Sequence, residues 1–253
     1  MTPPKLNQQE ILLTRSEKYD SKLIEILRAL NKTPYVFPIL EISPFSSDKL
    51  KRNVSALSKS DIFIFISKNA VEISHEYINL KESKIVAIGP TTRSCIEKLG
   101  LKVDLSPSKE FSSEGLLKDE LLQNVENKCI TIIRGKTGRN KLELELHDRG
   151  AKIQNLMVYQ KIRTKHSNRK ILEIKQKFKQ NSFAYIVILS CEVFENFFSI
   201  MIEHDVNMNK LPTFVIPSQR IADAIRSKIS NARCIVTFDP RNQAILDALV
   251  KGN

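Results

Sequence analysis

The chain has 253 residues, of which 42% are hydrophobic and 27% charged, and 40 Lys and Arg against 28 Asp and Glu give a formal net charge of +12. This composition excludes disordered and collagen-like chains, and the length suits one or two globular domains. The longest apolar stretch, residues 183–189, is far shorter than the ~20 residues that cross a bilayer, and the polar N-terminus lacks a signal-peptide pattern. We therefore expect a cytoplasmic protein without membrane contact.

Short apolar and β-branched runs alternate with longer amphipathic runs along the chain. The short runs predict strands at Ile11–Thr14, Tyr35–Phe37, Asp61–Ile66, Lys84–Ile88, Cys129–Arg134, Ala184–Leu189, Thr213–Ile216 and Cys234–Phe238. The longer runs predict helices at Asp20–Leu30, Asn69–Leu80, Thr92–Leu99, Glu114–Val125, Arg139–Arg149, Glu192–Ile202, Arg220–Ile229 and Asn242–Val250. Apolar strands separated by helices are typical of a parallel sheet covered on both faces, so we predict an α/β fold.

The strand–helix pattern repeats within the chain. Residues 61–73 resemble residues 184–197, since each segment is an apolar strand that ends in a serine and continues into a helix. Two extended segments, 37–45 and 153–163, separate the halves, and prolines exclude a helix from the first. We therefore predict two lobes joined by these linker strands, one discontinuous lobe of residues 1–40 plus 164–253 and one of residues 45–156.

Hydrogen-bond donors follow many of the predicted strands, where parallel sheets bind their ligands. Hydroxyls, guanidinium groups and free backbone N–H groups all suit an anionic ligand. For each serine or threonine alone, ordinary N-capping of the next helix is the alternative. The strand-end positions are Thr14–Arg15, Ser67, Gly89–Thr92, Arg134–Gly138, Ser190 and Ser218.

Several common reaction types have no motif here. No GxGxxG, P-loop or GxSxG pattern occurs, so dinucleotide binding, nucleotide binding by a P-loop and serine-nucleophile chemistry are not indicated. The four cysteines and four histidines are isolated in sequence, and we predict no metal site.

Much of the positive charge lies in residues 161–180, which carry eight basic residues and one acid, or +7 of the total +12. Such a run can bind nucleic acid. The alternative is a solvated helix face, because Ile171, Ile174 and Phe178 recur at helical spacing.

Several motifs occur in an order that resembles one enzyme family. After Thr14–Arg15 come ISKNAV (66–71), IGPTTRSCIEKLG (88–100), SSEGLL (112–117) and IIRGKTGRNKLELELHDRGAKIQNLMVYQ (132–160). The most specific pattern is RGxxGRxxLxxxLxxRGAxxxxxxVY, which begins at Arg134 and ends at Tyr159. From Ile11 onward, the chain resembles the uroporphyrinogen-III synthases of tetrapyrrole and heme biosynthesis.

The resemblance implies two flavodoxin-like lobes joined by a two-stranded linker, with a cofactor-free site between them. It implies a lyase that cyclises hydroxymethylbilane, with loss of water and inversion of the terminal pyrrole ring. Thr92 and Tyr159 become the catalytic residues, and Tyr159 donates a proton to the leaving hydroxyl. On its residue type alone, Tyr159 could instead be an amphipathic residue of the linker strand. The implied substrate contacts are Arg15, Ser67, Asn69, Gly89, Thr91, Ser190 and Ser218.

We expect a monomer that binds neither nucleic acid nor membranes and that contacts the upstream deaminase transiently. The first alternative is a non-catalytic two-lobed module that closes on an anionic ligand. The second is nucleic-acid binding through Lys161–Lys179, although no nucleic-acid motif accompanies that segment.

Overall fold

The computed structural model describes residues 10–208, 210–239 and 241–251. The strands are β1 (Glu10–Leu13), β2 (Thr33–Val36), β3 (Leu40–Pro44), β4 (Ile62–Phe65), β5 (Lys84–Ala87), β6 (Cys129–Gly135), β7 (Lys152–Arg163), β8 (Phe183–Val187), β9 (Thr213–Ile216) and β10 (Cys234–Val236). The helices are α1 (Glu17–Ala29), α2 (Ser47–Ser55), α3 (Lys68–Ser74), α4 (Pro90–Glu97), α5 (Ser113–Leu117), α6 (Glu120–Gln123), α7 (Lys141–Asp148), α8 (Asn168–Lys179), α9 (Cys191–Glu203), α10 (Gln219–Lys228) and α11 (Asn242–Lys251). Among the described residues, no helix is long and apolar enough to cross a membrane.

The first sheet has the strand order β10-β9-β8-β1-β2. β1 pairs in parallel with β2 and with β8, so the N-terminal strand joins a sheet built mainly from the C-terminal half of the chain. Separate apolar clusters cover its two faces, one built around Phe194 and Phe214 and the other around Leu13 and Val187.

The second sheet has the order β3-β7-β6-β4-β5, and β4 pairs in parallel with both β5 and β6. All four residues of β4 are buried, as expected of a strand covered on both faces. Phe63 and Phe65 belong to one apolar cluster, while Ile62 and Ile64 belong to another. These parallel sheets with their helices confirm the predicted α/β class.

The chain folds into two compact units. The first takes the described chain up to Glu41 and again from Ile162, and it holds the sheet that contains β1. The second unit is Ile42–Lys161 and holds the sheet that contains β4.

Most predicted helices agree with the structure to within three residues at each end, α2 was not predicted, and two predictions differ more widely. The single helix predicted for Glu114–Val125 is wrong, because Asp119 accepts a hydrogen bond from Leu121 N and begins a second helix there. The helix predicted for Asn69–Leu80 ends at Ser74, whose hydroxyl donates to Ala70 O at 2.7 Å. Side-chain hydrogen bonds to the backbone compete in this way with continued helix.

The basic segment contains α8. Ile171, Ile174 and Phe178 are buried on one face, which confirms the helix-face interpretation. Two of its lysines have partners in the first unit, since Lys170 lies 3.9 Å from the centre of the Tyr35 ring and Lys177 pairs with Glu10 at 2.6 Å.

Candidate functional site

The carboxyl ends of three neighbouring strands in the Ile42–Lys161 unit finish level with one another. Phe65 of β4 lies opposite Ala87 of β5 and Ile133 of β6. Two residues further along each strand stand Ser67, Gly89 and Gly135. Ser67 and Gly89 are the N-caps of α3 and α4, so free backbone N–H groups collect at this edge.

Two of the predicted site residues form a hydrogen bond at this edge. The Ser67 Oγ and the Tyr159 hydroxyl oxygen are 3.1 Å apart, and either group can donate. Ser67 Oγ also accepts from Ala70 N at 3.0 Å, which fixes the serine as the α3 cap. Tyr159 is 8% exposed as a whole residue, and it packs in the same apolar cluster as Ile133.

Gly135 brings Tyr159 close to β6. A register shift between Arg134 and Gly135 places Gly135 opposite Tyr159. A Cβ on Gly135 would lie 2.6 Å from Tyr159 Cε2, closer than van der Waals contact permits. The tyrosine ring therefore lies where the Cβ of any other residue at position 135 would be, so this close packing requires glycine.

The turn after β5 carries three more predicted residues. Gly89 is followed by Pro90 at the first position of α4, a favoured place for proline. Thr91 is exposed, whereas Thr92 is 4% exposed. Asn69 is half-buried near the start of the neighbouring helix α3.

The other unit has a comparable edge. Val187 lies opposite Leu13 and Val215, and the N-caps Ser16, Ser190 and Ser218 each stand three residues later. Ser190 Oγ accepts from Val193 N at 3.2 Å, whereas the Ser218 side chain makes no capping hydrogen bond to α10.

Arg15 is engaged inside its own unit. Its Nη2 donates to Asn242 Oδ1 at 2.7 Å and also to the buried Asp20 carboxylate. Burial raises the Asp20 pKa, and the Arg15 charge and hydrogen bond oppose that rise. The Arg15 charge therefore balances the buried Asp20 carboxylate inside the first unit.

A cavity of about 250 Å³ opens at the carboxyl edge of the Ile42–Lys161 sheet. Ile66, Ile88 and Ile132 form its apolar wall. Its polar lining is Ser112, Ser113, Glu114, Arg134 and Arg139. The sequence indicated Arg134 as a strand-end residue and as the first residue of the RGxxGR pattern, and its signal is a charged residue directly after strand residues 129–133.

The predicted site residues thus fall into two groups. Ser67 and Tyr159 are in direct contact, and Asn69, Gly89, Thr91 and Thr92 belong to the same unit. Arg15, Ser190 and Ser218 belong to the other unit. Both groups offer neutral hydroxyl and N–H donors, which suit an anionic ligand and can supply a proton to a leaving hydroxyl. Within the part of the chain that the structure describes, no three His, Cys, Asp or Glu side chains are grouped to hold a metal ion.

Comparison with known proteins places these features in context. A family model described as uroporphyrinogen-III synthase HemD matches residues 8–235. The uroporphyrinogen-III synthase of Escherichia coli (strain K12) is 27% identical over 198 residues, covering 76% of this chain and 79% of that protein. The enzyme of the same name from Proteus mirabilis is 26% identical over 196 residues, covering 75% of this chain and 97% of that protein.

A solved structure shares the fold. The crystal structure of uroporphyrinogen-III synthetase from Helicobacter pylori 26695 superposes with a TM-score of 0.67 at 15% identity, covering 97% of this chain and 100% of that one. At this identity the likeness concerns the fold alone.

Proposed function

The chain belongs to the uroporphyrinogen-III synthase family, and on that premise we propose that it converts hydroxymethylbilane to uroporphyrinogen III, with loss of water and inversion of the terminal pyrrole ring. The family match over residues 8–235 favours this cyclising lyase over a non-catalytic anion-binding module. The observation that carries the proposal is the Ser67–Tyr159 hydrogen bond, because it holds a proton donor at the ligand-binding edge of the sheet.

Tyr159 starts the reaction as a neutral proton donor. Its phenol protonates the hydroxymethyl oxygen of the first pyrrole, the C–O bond breaks, and water leaves an azafulvene. The substituted α-carbon of the terminal pyrrole then attacks the azafulvene methylene and forms a spiro intermediate. The bond from that α-carbon to its original methylene bridge breaks, which leaves a second azafulvene on the neighbouring pyrrole. The free α-carbon of the terminal pyrrole attacks this second azafulvene, and the ring is thereby inverted. The proton released when the macrocycle closes restores the phenol, so the overall change is the loss of one water.

Ser67 sets the direction of the Tyr159 proton. Ser67 Oγ accepts from Ala70 N and keeps its own proton, which it can donate to the tyrosine oxygen. In that arrangement the phenolic proton is left for the substrate.

The remaining predicted residues bind rather than react. Gly89 and Ser218 present backbone N–H groups at helix starts, and the hydroxyls of Thr91, Thr92 and Ser190 and the Asn69 amide add donors. Thr92 assists catalysis by fixing the reacting pyrrole. Arg15 adds one positive charge that suits the substrate carboxylates.

We also propose the finer organisation that the resemblance implies. The two units are flavodoxin-like lobes, with residues 37–45 and 153–163 as their linker strands. The protein acts as a cytoplasmic monomer and receives its unstable substrate through transient contact with the deaminase that makes it.

The Tyr159→Phe variant tests this assignment. We expect the rate of uroporphyrinogen III formation to fall at least several tens-fold, towards the ~100-fold that marks the lower end of general acid catalysis. Tyr77→Phe, a change of the same kind in the same unit, is the control and should leave the rate unchanged. Equal turnover by Tyr159→Phe and the control would remove Tyr159 from the mechanism.

A further inference from the structure

We infer that Arg134 and the cavity beside it bind one carboxylate arm of the substrate. This inference rests on the proposed function, whose substrate is rich in carboxylates. It assigns a binding subsite to Arg134, which is not among the substrate contacts that the family resemblance implies.

Arg134 is a buried cation with little compensation. It is 6% exposed, and the carboxylate oxygen that pairs with it, Glu143 Oε2, is 3.8 Å from Nη1. Among the described residues its side chain donates one hydrogen bond, from Nη2 to Arg139 O at 3.2 Å. A guanidinium has five N–H donors, and burying a charge is costly unless it is paired. An anion bound in the cavity would accept hydrogen bonds from the remaining N–H donors and would balance the charge of Arg134.

The alternation of β6 sends Arg134 to the opposite face from Tyr159. Ile130 and Ile132 share the Arg134 face and pack in one cluster, whereas Ile133 packs with Tyr159 in another. Because Arg134 and Gly135 are neighbours at the edge, one ligand lying across that edge can reach both faces.

The loop after β6 holds the guanidinium in place. Gly138 has φ +153°, and a Cβ there would lie 2.7 Å from Arg134 Nη2. The backbone therefore passes directly against the charged group, which restricts its movement.

The charges around the cavity favour an anion. Glu114 is the one acid in its lining, and Lys141 Nζ lies 3.2 Å from its carboxylate. Hydrogen bonds from the backbone and Ser112, together with Lys141, lower the Glu114 pKa to about 2. The Glu114 carboxylate therefore stays ionised at neutral pH, and the Lys141 charge balances it. Arg134 and Arg139 then leave the lining net positive.

The cavity size limits what enters. A cavity of about 250 Å³ holds several waters, since one water needs only ~10–15 Å³ on the same measure, and it is large enough for a carboxymethyl or carboxyethyl arm. The apolar wall formed by Ile66, Ile88 and Ile132 suits the methylene part of such an arm.

The first test is Arg134→Gln, with Arg149→Gln as the matched control. Arg149 is a partly buried arginine of the same unit whose Nη1 donates to the carbonyls of Leu117 and Leu122, a purely structural task. We expect Arg134→Gln to raise KM for hydroxymethylbilane between about tenfold and a hundredfold, the range of one charge-assisted hydrogen bond, with little change in kcat. Arg149→Gln should lower the melting temperature and leave KM unchanged.

A second variant keeps Arg134 in place. Ser113→Glu puts a carboxylate into the cavity as a substitute for the substrate arm, so we expect a higher KM together with a higher melting temperature. A purely structural Arg134 predicts no change in KM for this variant. An unchanged KM in Ser113→Glu would overturn the subsite even if Arg134→Gln failed to fold.

Direct binding separates this inference from the proposed function. Titration with uroporphyrin, an octacarboxylate, is followed by tetrapyrrole fluorescence and needs no turnover. Weaker binding by Arg134→Gln and Ser113→Glu than by Arg149→Gln would support the subsite, even if the wild-type protein formed no type III product. Equal binding by all three variants would overturn it.

Discussion

At the scale of single residues, Gly135 determines how closely Tyr159 lies against β6. The ring and the glycine face one another across a register shift, with no room for a Cβ between them. Sequence motifs indicated Tyr159 and Ser67, but they did not indicate the register shift that sets Tyr159 opposite Gly135. A register shift leaves no separate mark in a run such as 152–163, where apolar and polar residues do not alternate strictly.

Gly135→Ala should therefore displace the tyrosine. We expect a loss of about 1–3 kcal/mol in the free energy of unfolding from overpacking, and a loss of activity approaching that of Tyr159→Phe. Urea denaturation and the rate of type III formation measure the two effects.

Gly100→Ala is the control. Gly100 has φ +76°, and a Cβ added there would meet no atom within 4 Å, so alanine costs only the ~1–2 kcal/mol of the left-handed conformation. Activity lost equally in both variants would show that general destabilisation, and not the position of Tyr159, is responsible.

At the scale of elements, the last residue of β7 is tied to α9. Arg163 Nη1 and Nη2 donate to the two Glu203 carboxylate oxygens at 2.6 and 2.5 Å. The hydrogen bonds from Arg163 and Ser199 and the Arg163 charge lower the Glu203 pKa to about 2. This contact joins strand to helix within one unit.

The resulting pH dependence has a defined sign. A carboxyl group whose pKa is lowered in the folded state stabilises that state above its unfolded pKa, and the stabilisation is lost as the pH falls through the folded value. Glu203→Gln should lower the urea midpoint at pH 6, and its difference from wild type should shrink as the pH falls from about 4.5 towards 2.

Glu25→Gln, an exposed change in α1, provides the comparison. A Glu203→Gln deficit that stayed constant from pH 6 to pH 3 would show that the ion pair does not carry the effect.

Most strands and helices could be predicted because short apolar runs alternate regularly with amphipathic runs, although α2 was missed. The break between α5 and α6 could not, since the apolar spacing continues through 116–122 while the Asp119 side chain caps a new helix. The Asp119 cap therefore sets the boundary between the two helices. Arg149 Nη1 donates hydrogen bonds to the backbone carbonyls of Leu117 and Leu122.

At the scale of the whole molecule, the +12 charge is not itself the site. Lysines of the most basic segment pair with Glu10 and stack on Tyr35, so part of that charge has a structural task. A positive protein still attracts an anionic substrate over long range. The return of β1 to the C-terminal sheet was predictable from the two extended segments, whereas the cavity beside Arg134 was not, because it forms from four separate stretches of chain.

The most direct measurement is the isomer ratio formed from hydroxymethylbilane with the protein present in far smaller amount than the substrate. A synthase turns over many times, so we predict that type III uroporphyrinogen predominates over type I and that its rate scales with protein concentration. A binding module could affect at most one equivalent. Type I product alone, as arises spontaneously, would contradict the assignment.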